Sequence, residues 1–163
     1  MDSSNTVTIP NGYFNRNNIA SFNISNNGVL KSIVIGDNSY GKVREFDLDG
    51  LSELESVVIG QKSFRISENK RNDGSYRIVN SPKLKSIQIG ERSFNDYHSF
   101  ELNNLPSLQT IDISGWCFRY APSFSLTGLI DGLIWIHRSS STTISYTWLL
   151  CIPWCSFYCV WEW

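Results

Sequence analysis

The feature that most constrains this chain is a short pattern that returns in register. It reads Leu-x-x-Ile/Val-x-Ile-Gly and occurs at Leu30, Ile33, Ile35 and Gly36, then at Leu54, Val57, Ile59 and Gly60. It returns at Leu84, Ile87, Ile89 and Gly90, and again at Leu108, Ile111 and Ile113 with Ser114 in the glycine place. The glycine places are 24, 30 and 24 residues apart. Three residues after each comes a small residue and then an aromatic one: Ser39-Tyr40, Ser63-Phe64, Ser93-Phe94 and Cys117-Phe118. A second pattern, aromatic-x-Leu/Ile, marks Phe22/Ile24, Phe46/Leu48, Tyr76/Ile78, Phe100/Leu102 and Phe124/Leu126, with the same period and the same interruption. Two patterns sharing one spacing and one irregularity define a repeat architecture.

Each pattern has a physical reading. Alternation of two, as in Ile33/Ile35 and Phe46/Leu48, puts both side chains on one face of a short strand. Two residues after each second strand stand Asn26, Gly50, Asn80, Asn104 and Gly128. Asn and Gly share a tolerance of the left-handed backbone region, so a turn with positive φ is expected there. Gly36, Gly60 and Gly90 mark a second corner. One such coil cannot bury its own apolar face, but stacked coils superpose Ile35, Ile59, Ile89 and Ile113 into a ladder with strands about 4.8 Å apart. The expectation is a mostly β chain, a solenoid of about five coils of about 24 residues, each with two short strands.

The run Leu84 to Phe94, with its Ile-Gly-x-x-small-Phe core, resembles the BspA-type leucine-rich repeat, and the likeness spans about residues 6–129. That resemblance implies a right-handed leucine-rich-repeat solenoid used for protein or surface binding. It carries no fixed catalytic residues. The domain expectation is a solenoid over 1–129, followed by a separate segment over 130–163. Residues 1–28 are expected to form a degenerate first unit, because Ile9 and Gly12 sit 24 residues before Ile33 and Gly36 but Thr6 and Asn15 replace the Leu and Ser.

The long step adds six residues between Phe64 and Tyr76, and Ser63-Phe-Arg-Ile66 is echoed by Ser75-Tyr-Arg-Ile78. Between them, Asn72-Asp73-Gly74 is a turn signal. A protruding loop or two-stranded flap over 67–74 is expected, with Lys70, Arg71 and Asp73 as candidate partner contacts. Along the second strand, the outward row Asn23, Asp47, Arg77, Glu101 and Ser125 alternates in charge, as does Lys31, Glu55, Lys85 and Gln109 before the first strand. Such neighbours pin register. The row Val34, Val58, Gln88 and Asp112 instead grades from apolar to polar, which makes Val34, Val58 and Gln88 the other candidate contacts.

Composition narrows the function. Lys plus Arg number 14 against 15 Asp plus Glu, a net charge of −1, which gives no electrostatic reason to expect a nucleic-acid partner. Two His and four Cys give too few ligands for most metal centres, and no cofactor is expected. Asp47-Leu48-Asp49-Gly50 superficially matches an aspartyl phosphotransferase motif. However, Arg44-Glu45 stands where an apolar strand is needed, and Leu51 stands where a hydroxyl is needed. His98 lies near Asp96 and Tyr97, in an expected inter-strand turn, without a nucleophile in a special context. The chain is read as no enzyme but a protein-binding scaffold, with a fragment of a surface or adhesion protein as the alternative. The polar, Asn-rich start lacks a secretory leader, so a cytoplasmic location is the default expectation.

After Leu129 the pattern fails. Gly132, Trp135, His137 and Arg138 stand where apolar residues and a glycine are due, although a one-residue slip using Leu133 and Ile136 rescues part of a coil. Five of the six tryptophans and three of the four cysteines lie here, and only Asp131, Arg138 and Glu162 are charged. An irregular apolar segment is expected, read as a cap, an anchor or a frame-shifted tail. A membrane span is disfavoured, because Ser145 to Trp161 is short and interrupted by Pro153.

Overall fold

The alternating Ile/Val and aromatic/Leu runs do form strands, because β-branched and aromatic side chains suit a pleated surface with one buried face. The structure, a computed structural model, describes residues 5–15, 19–66, 73–119, 121, 123–128, 133–139, 144–150 and 157–159. Its strands are β1 (Thr6–Ile9), β2 (Ser21–Ser25), β3 (Ser32–Ile35), β4 (Glu45–Asp49), β5 (Ser56–Ile59), β6 (Gly74–Val79) and β7 (Ser86–Ile89). They continue with β8 (Tyr97–Asn103), β9 (Thr110–Ile113), β10 (Ser123–Thr127), β11 (Leu133–Ser139), β12 (Ile144–Leu150) and β13 (Phe157–Cys159). There is no helix among the described residues.

The chain is a β-solenoid of about five turns. One sheet runs β1-β3-β5-β7-β9-β11-β12 and the other β13-β10-β8-β6-β4-β2. Each coil contributes one strand to each sheet, in parallel pairing. Ile35, Ile59, Ile89 and Ile113 superpose as expected, as do Phe46, Tyr76 and Phe100.

Between the sheets the rings form two stacks. Phe22, Phe46, Tyr76 and Phe100 stack at 5.3, 4.9 and 4.9 Å. Phe14, Tyr40, Phe64, Phe94 and Phe118 stack at 5.0, 5.0, 4.7 and 5.3 Å. These distances follow the strand spacing, so each coil adds one ring to each stack. Edge contacts such as Tyr76–Phe94 at 4.9 Å join the two. Each such ring pair adds about 0.5–1.5 kcal/mol beyond burial.

Both corners use left-handed backbone. At one, Asn26, Gly50, Asn80, Asn104 and Gly128 have φ between 51° and 67°, as the sequence column implied. At the other, which Gly36, Gly60 and Gly90 mark, the left-handed residues are not the glycines but those two and four places after each glycine place. They are Asn38, Lys62, Arg92 and Trp116, then Tyr40, Phe64, Phe94 and Phe118. The glycines there serve close approach. A Cβ on Gly60 would lie 2.6 Å from the backbone of Gly36 and Asp37, and one on Gly90 2.6 Å from the Gly60 carbonyl carbon.

The small residue before each corner ring is buried and polar for a reason. Ser63 Oγ donates to Gly36 O at 2.7 Å and accepts the Ser39 N–H at 3.1 Å. Ser93 repeats both bonds, to Gly60 O and from Ser63 N–H, and Cys117 Sγ donates to Gly90 O at 3.1 Å. The hydroxyl thus satisfies backbone groups that the tight corner leaves inside.

The first unit differs from the 24-residue reading. β1 pairs Ile9 with Ile35, not with Ile33, so the step is 26. In that register Pro10 takes the place of Gly36, Gly12 (φ 76°) that of Asn38, and Phe14 (φ 58°) that of Tyr40. The unit therefore keeps its corner ring, and its two extra residues lie between Phe14 and Phe22. The segment after 129, expected to be irregular, contributes β11, β12 and β13. β11 runs parallel to β9 with Ile136 opposite Ile111, which is the one-residue slip noted above. β12 and β13 then join their sheets antiparallel.

Candidate interaction surfaces

The outward positions of the two sheets are chemically unlike. On the first sheet, parallel pairing sets Val34 beside Val58, Val58 beside Gln88 and Gln88 beside Asp112. Thr8 precedes Val34 in the same row, and the neighbouring row is Thr6, Ser32, Ser56, Ser86 and Thr110. Val34 and Val58 are half-buried, flanked by the hydroxyls of Ser32 and Ser56, which hydrogen-bond each other at 2.9 Å. From β1 to β7 this face carries no charge; Asp112 of β9 is its first.

On the second sheet carboxylates gather around one arginine. Arg77 Nη1 reaches Asp47 at 2.8 Å and Asp49 at 3.2 Å, and its Nε lies 3.8 Å from Glu101. The hydrogen bond to Asp47, with the charges of both aspartates, holds the Arg77 guanidinium above even its usual range against the opposing effect of burial. Asp47 and Asp49 are thus committed to an arginine, and Gly50 of the same motif is a left-handed corner residue. Beside the Asn/Gly corner, Lys85 bonds Glu55 at 3.0 Å and Lys83 bonds Glu53 at 2.7 Å. The Lys85 hydrogen bond and charge hold the Glu55 carboxyl below its ordinary value. Exposed pairs of this kind contribute little, enough to favour the register without dominating the fold.

The inserted segment divides. Lys70 and Arg71 lie outside the described residues. Asp73 bonds Arg44 of the preceding coil at 2.5 Å, so it is engaged within the protein. Gly74, expected at the loop turn, is the buried first residue of β6. A Cβ there would lie 2.7 Å from the Tyr97 ring, and that ring crosses Gly74 to let Tyr97 Oη donate to Val43 O at 2.7 Å. The two echoed segments are not equivalent: Phe64 belongs to the corner stack and Tyr76 to the sheet stack. His98, expected in a turn, is the second residue of β8, exposed at the point where the β6–β8 register shifts.

Sequence reasoning passed over the cations of the aromatic corner. Lys62 and Arg92 share a column, each donating its backbone N–H to the next coil, to Glu91 O at 2.8 Å and Gly115 O at 2.9 Å. Arg65 follows the Phe64 ring, and Arg119, after Phe118, lies 4.7 Å over the Trp116 ring. All four side chains are exposed. The available signal was charge counted by repeat position rather than over the whole chain. Searches against protein-family models, curated proteins and solved structures each found no match.

Proposed function

We propose that this chain is a non-catalytic binding scaffold of the leucine-rich-repeat kind, akin to BspA-type proteins, that holds a protein partner against the outward face of its first sheet. The observation that supports this is the uncharged strip of Val34, Val58 and Gln88 set among serine hydroxyls. Charge depletion at the centre, with charged residues such as Lys31, Glu55 and Lys85 just outside it, is the composition of a protein-interface core and rim. A regular interior that fixes the backbone while outward residues vary suits the same role.

The test is affinity capture with the full chain and with Val58→Arg. A partner identified by mass spectrometry is then purified and its affinity measured. Partner binding should weaken at least ~10-fold in Val58→Arg, since a buried interfacial charge without a mate is costly. A matched change on the second sheet, Asn23→Arg, should leave it unaltered. Equal binding by Val58→Arg and the parent chain would discard the first sheet as the contact face.

A further inference from the structure

The net charge of −1 conceals a separation that the fold produces. The aromatic corner gathers Lys42, Arg44, Lys62, Arg65, Arg92 and Arg119 against Asp37, Asp73, Glu91 and Asp96 among the described residues. Those acids are already engaged. Asp37 Oδ1 accepts the Gln61 N–H at 2.7 Å, Asp73 holds Arg44, Glu91 lies 3.3 Å from Arg92, and Asp96 accepts from Asn95. Lys62 and Arg65 have no carboxylate within ion-pair distance among the described residues. On the β1–β10 part of the two sheets and on the other corner the balance reverses: Glu45, Asp47, Asp49, Glu53, Glu55, Glu101 and Asp112 stand against Lys31, Arg77, Lys83 and Lys85.

We propose that the exposed stripe Lys62, Arg65, Arg92 and Arg119 is a second binding surface, which takes a short acidic polypeptide segment lying along the solenoid axis. It spans three successive coils, so its length is roughly 10 Å at about 4.8 Å per coil. An extended peptide rises about 3.3 Å per residue, so the stripe matches three or four residues bearing carboxylates. Arginine is suited to paired carboxylate oxygens, and the Arg119–Trp116 stack holds one guanidinium plane in place. A long polyanion, such as a nucleic-acid strand or an acidic polysaccharide, would run past the stripe along the axis onto Gly12, Asn15, Asn38 and Gly41, the uncharged residues at the same positions of the first two coils, and its extra length would gain nothing there. This surface is separate from the valine strip of the first sheet, and its failure leaves that reading untouched.

The test is fluorescence anisotropy of the full chain with fluorescein-labelled hexaglutamate, with labelled oligothymidylate of matched length as the competitor class. Hexaglutamate should bind saturably at low salt, and raising salt to physiological strength should weaken it severalfold, as expected for exposed charges. Arg65→Gln/Arg92→Gln should bind at least ~10-fold more weakly, and Lys62→Gln alone at least ~3-fold more weakly. Lys83→Gln/Lys85→Gln, on the other corner, should stay within about twofold of the parent. Circular dichroism of each variant confirms that it is folded, and Lys62→Gln decides the matter if the double variant is not. The proposal is overturned by no saturation at millimolar peptide, by equal losses at the two corners, or by tighter binding of oligothymidylate than of hexaglutamate.

Discussion

The two corners of each coil solve the same problem under different constraints. On the Asn/Gly side, the second-strand ring stands eleven residues before the next first-sheet strand position in four successive coils, from Phe22 to Ile33 through Phe100 to Ile111. Leucines pack that side without slack: Leu30, Leu54, Leu84 and Leu108 are all buried, and Leu54, Leu84 and Leu108 close local turns on residues three places earlier. On the aromatic side, the link from corner ring to second-strand ring is six residues in three coils, but eight from Phe14 to Phe22 and twelve from Phe64 to Tyr76. Both irregular coils place their extra residues at this one point. A corner filled by leucines inside the coil cannot lengthen, whereas a corner anchored by a ring in a stack keeps its packing when the link that follows is longer. Change is tolerated beside the stack, where the exposed cations also lie.

The largest effect should come from breaking that anchor. Phe94, itself at φ 52°, stacks between Phe64 and Phe118 and meets Tyr76 and Tyr97 edge-on at 4.9 Å each. Phe94→Ala should cost about 3–5 kcal/mol in urea unfolding. Phe94→Gly should be no less stable than Phe94→Ala, the reverse of the usual order, because glycine is free of the roughly 1–2 kcal/mol left-handed penalty. If Phe94→Gly proves the weaker of the two, backbone strain at this corner is not what the stack offsets.

A smaller effect separates the glycines. Gly90→Ala places a methyl 2.6 Å from backbone and should cost about 1–3 kcal/mol by overpacking. Coil five shows the direction of the response. Ser114 stands in the glycine place, the Phe94–Phe118 spacing opens to 5.3 Å, and Phe118 N–H bonds Phe94 O, whereas Phe94 N–H bonds Ser63 O. Gly50, at φ 67°, needs a residue at ease in the left-handed region, and a Cβ there would press only on the end of the Asn26 side chain, 2.7 Å from its Oδ1, which can turn aside. Gly50→Asn should therefore shift stability by less than about 0.5 kcal/mol, matching Asn26, Asn80 and Asn104 in the same column. Equal thermal losses for Gly90→Ala and Gly50→Asn would erase the distinction between the corners.

That distinction also explains what could be read from the sequence. The period, the stacked Ile and ring columns and the positive-φ column at Asn26 to Gly128 were legible, because each depends on residue type at a fixed spacing. The first coil was misaligned by two residues because glycine serves two purposes. Gly12 is conformational and equivalent to Asn38, but its type matches the steric Gly36. Gly74 was misread for the same reason: it is glycine because the Tyr97 ring crosses it, a contact between coils that no local turn signal encodes. The valine row was legible from alternation alone. The corner cations were not, since no single repeat shows the charge that stacking assembles.

A further effect, of opposite sign to the losses above, concerns a polar atom that the stack encloses without a mate. Tyr76 occupies the place held by Phe46 and Phe100, yet its hydroxyl is buried and finds no hydrogen-bond partner among the described residues. Burial alone drives its pKa far upward, so the phenol stays neutral through any ordinary pH and gains nothing from ionisation. An unsatisfied buried hydroxyl carries a desolvation penalty of about 1–3 kcal/mol, partly offset by the packing of its oxygen. Tyr76→Phe should thus leave the unfolding midpoint unchanged or raise it, by up to about 1 kcal/mol. Tyr97→Phe should do the opposite, because Tyr97 Oη donates to Val43 O at 2.7 Å and its loss orphans a buried carbonyl. A loss of stability in Tyr76→Phe would mean that the sheet stack uses a polar contact, making it less purely a column of rings than the corner stack beside it.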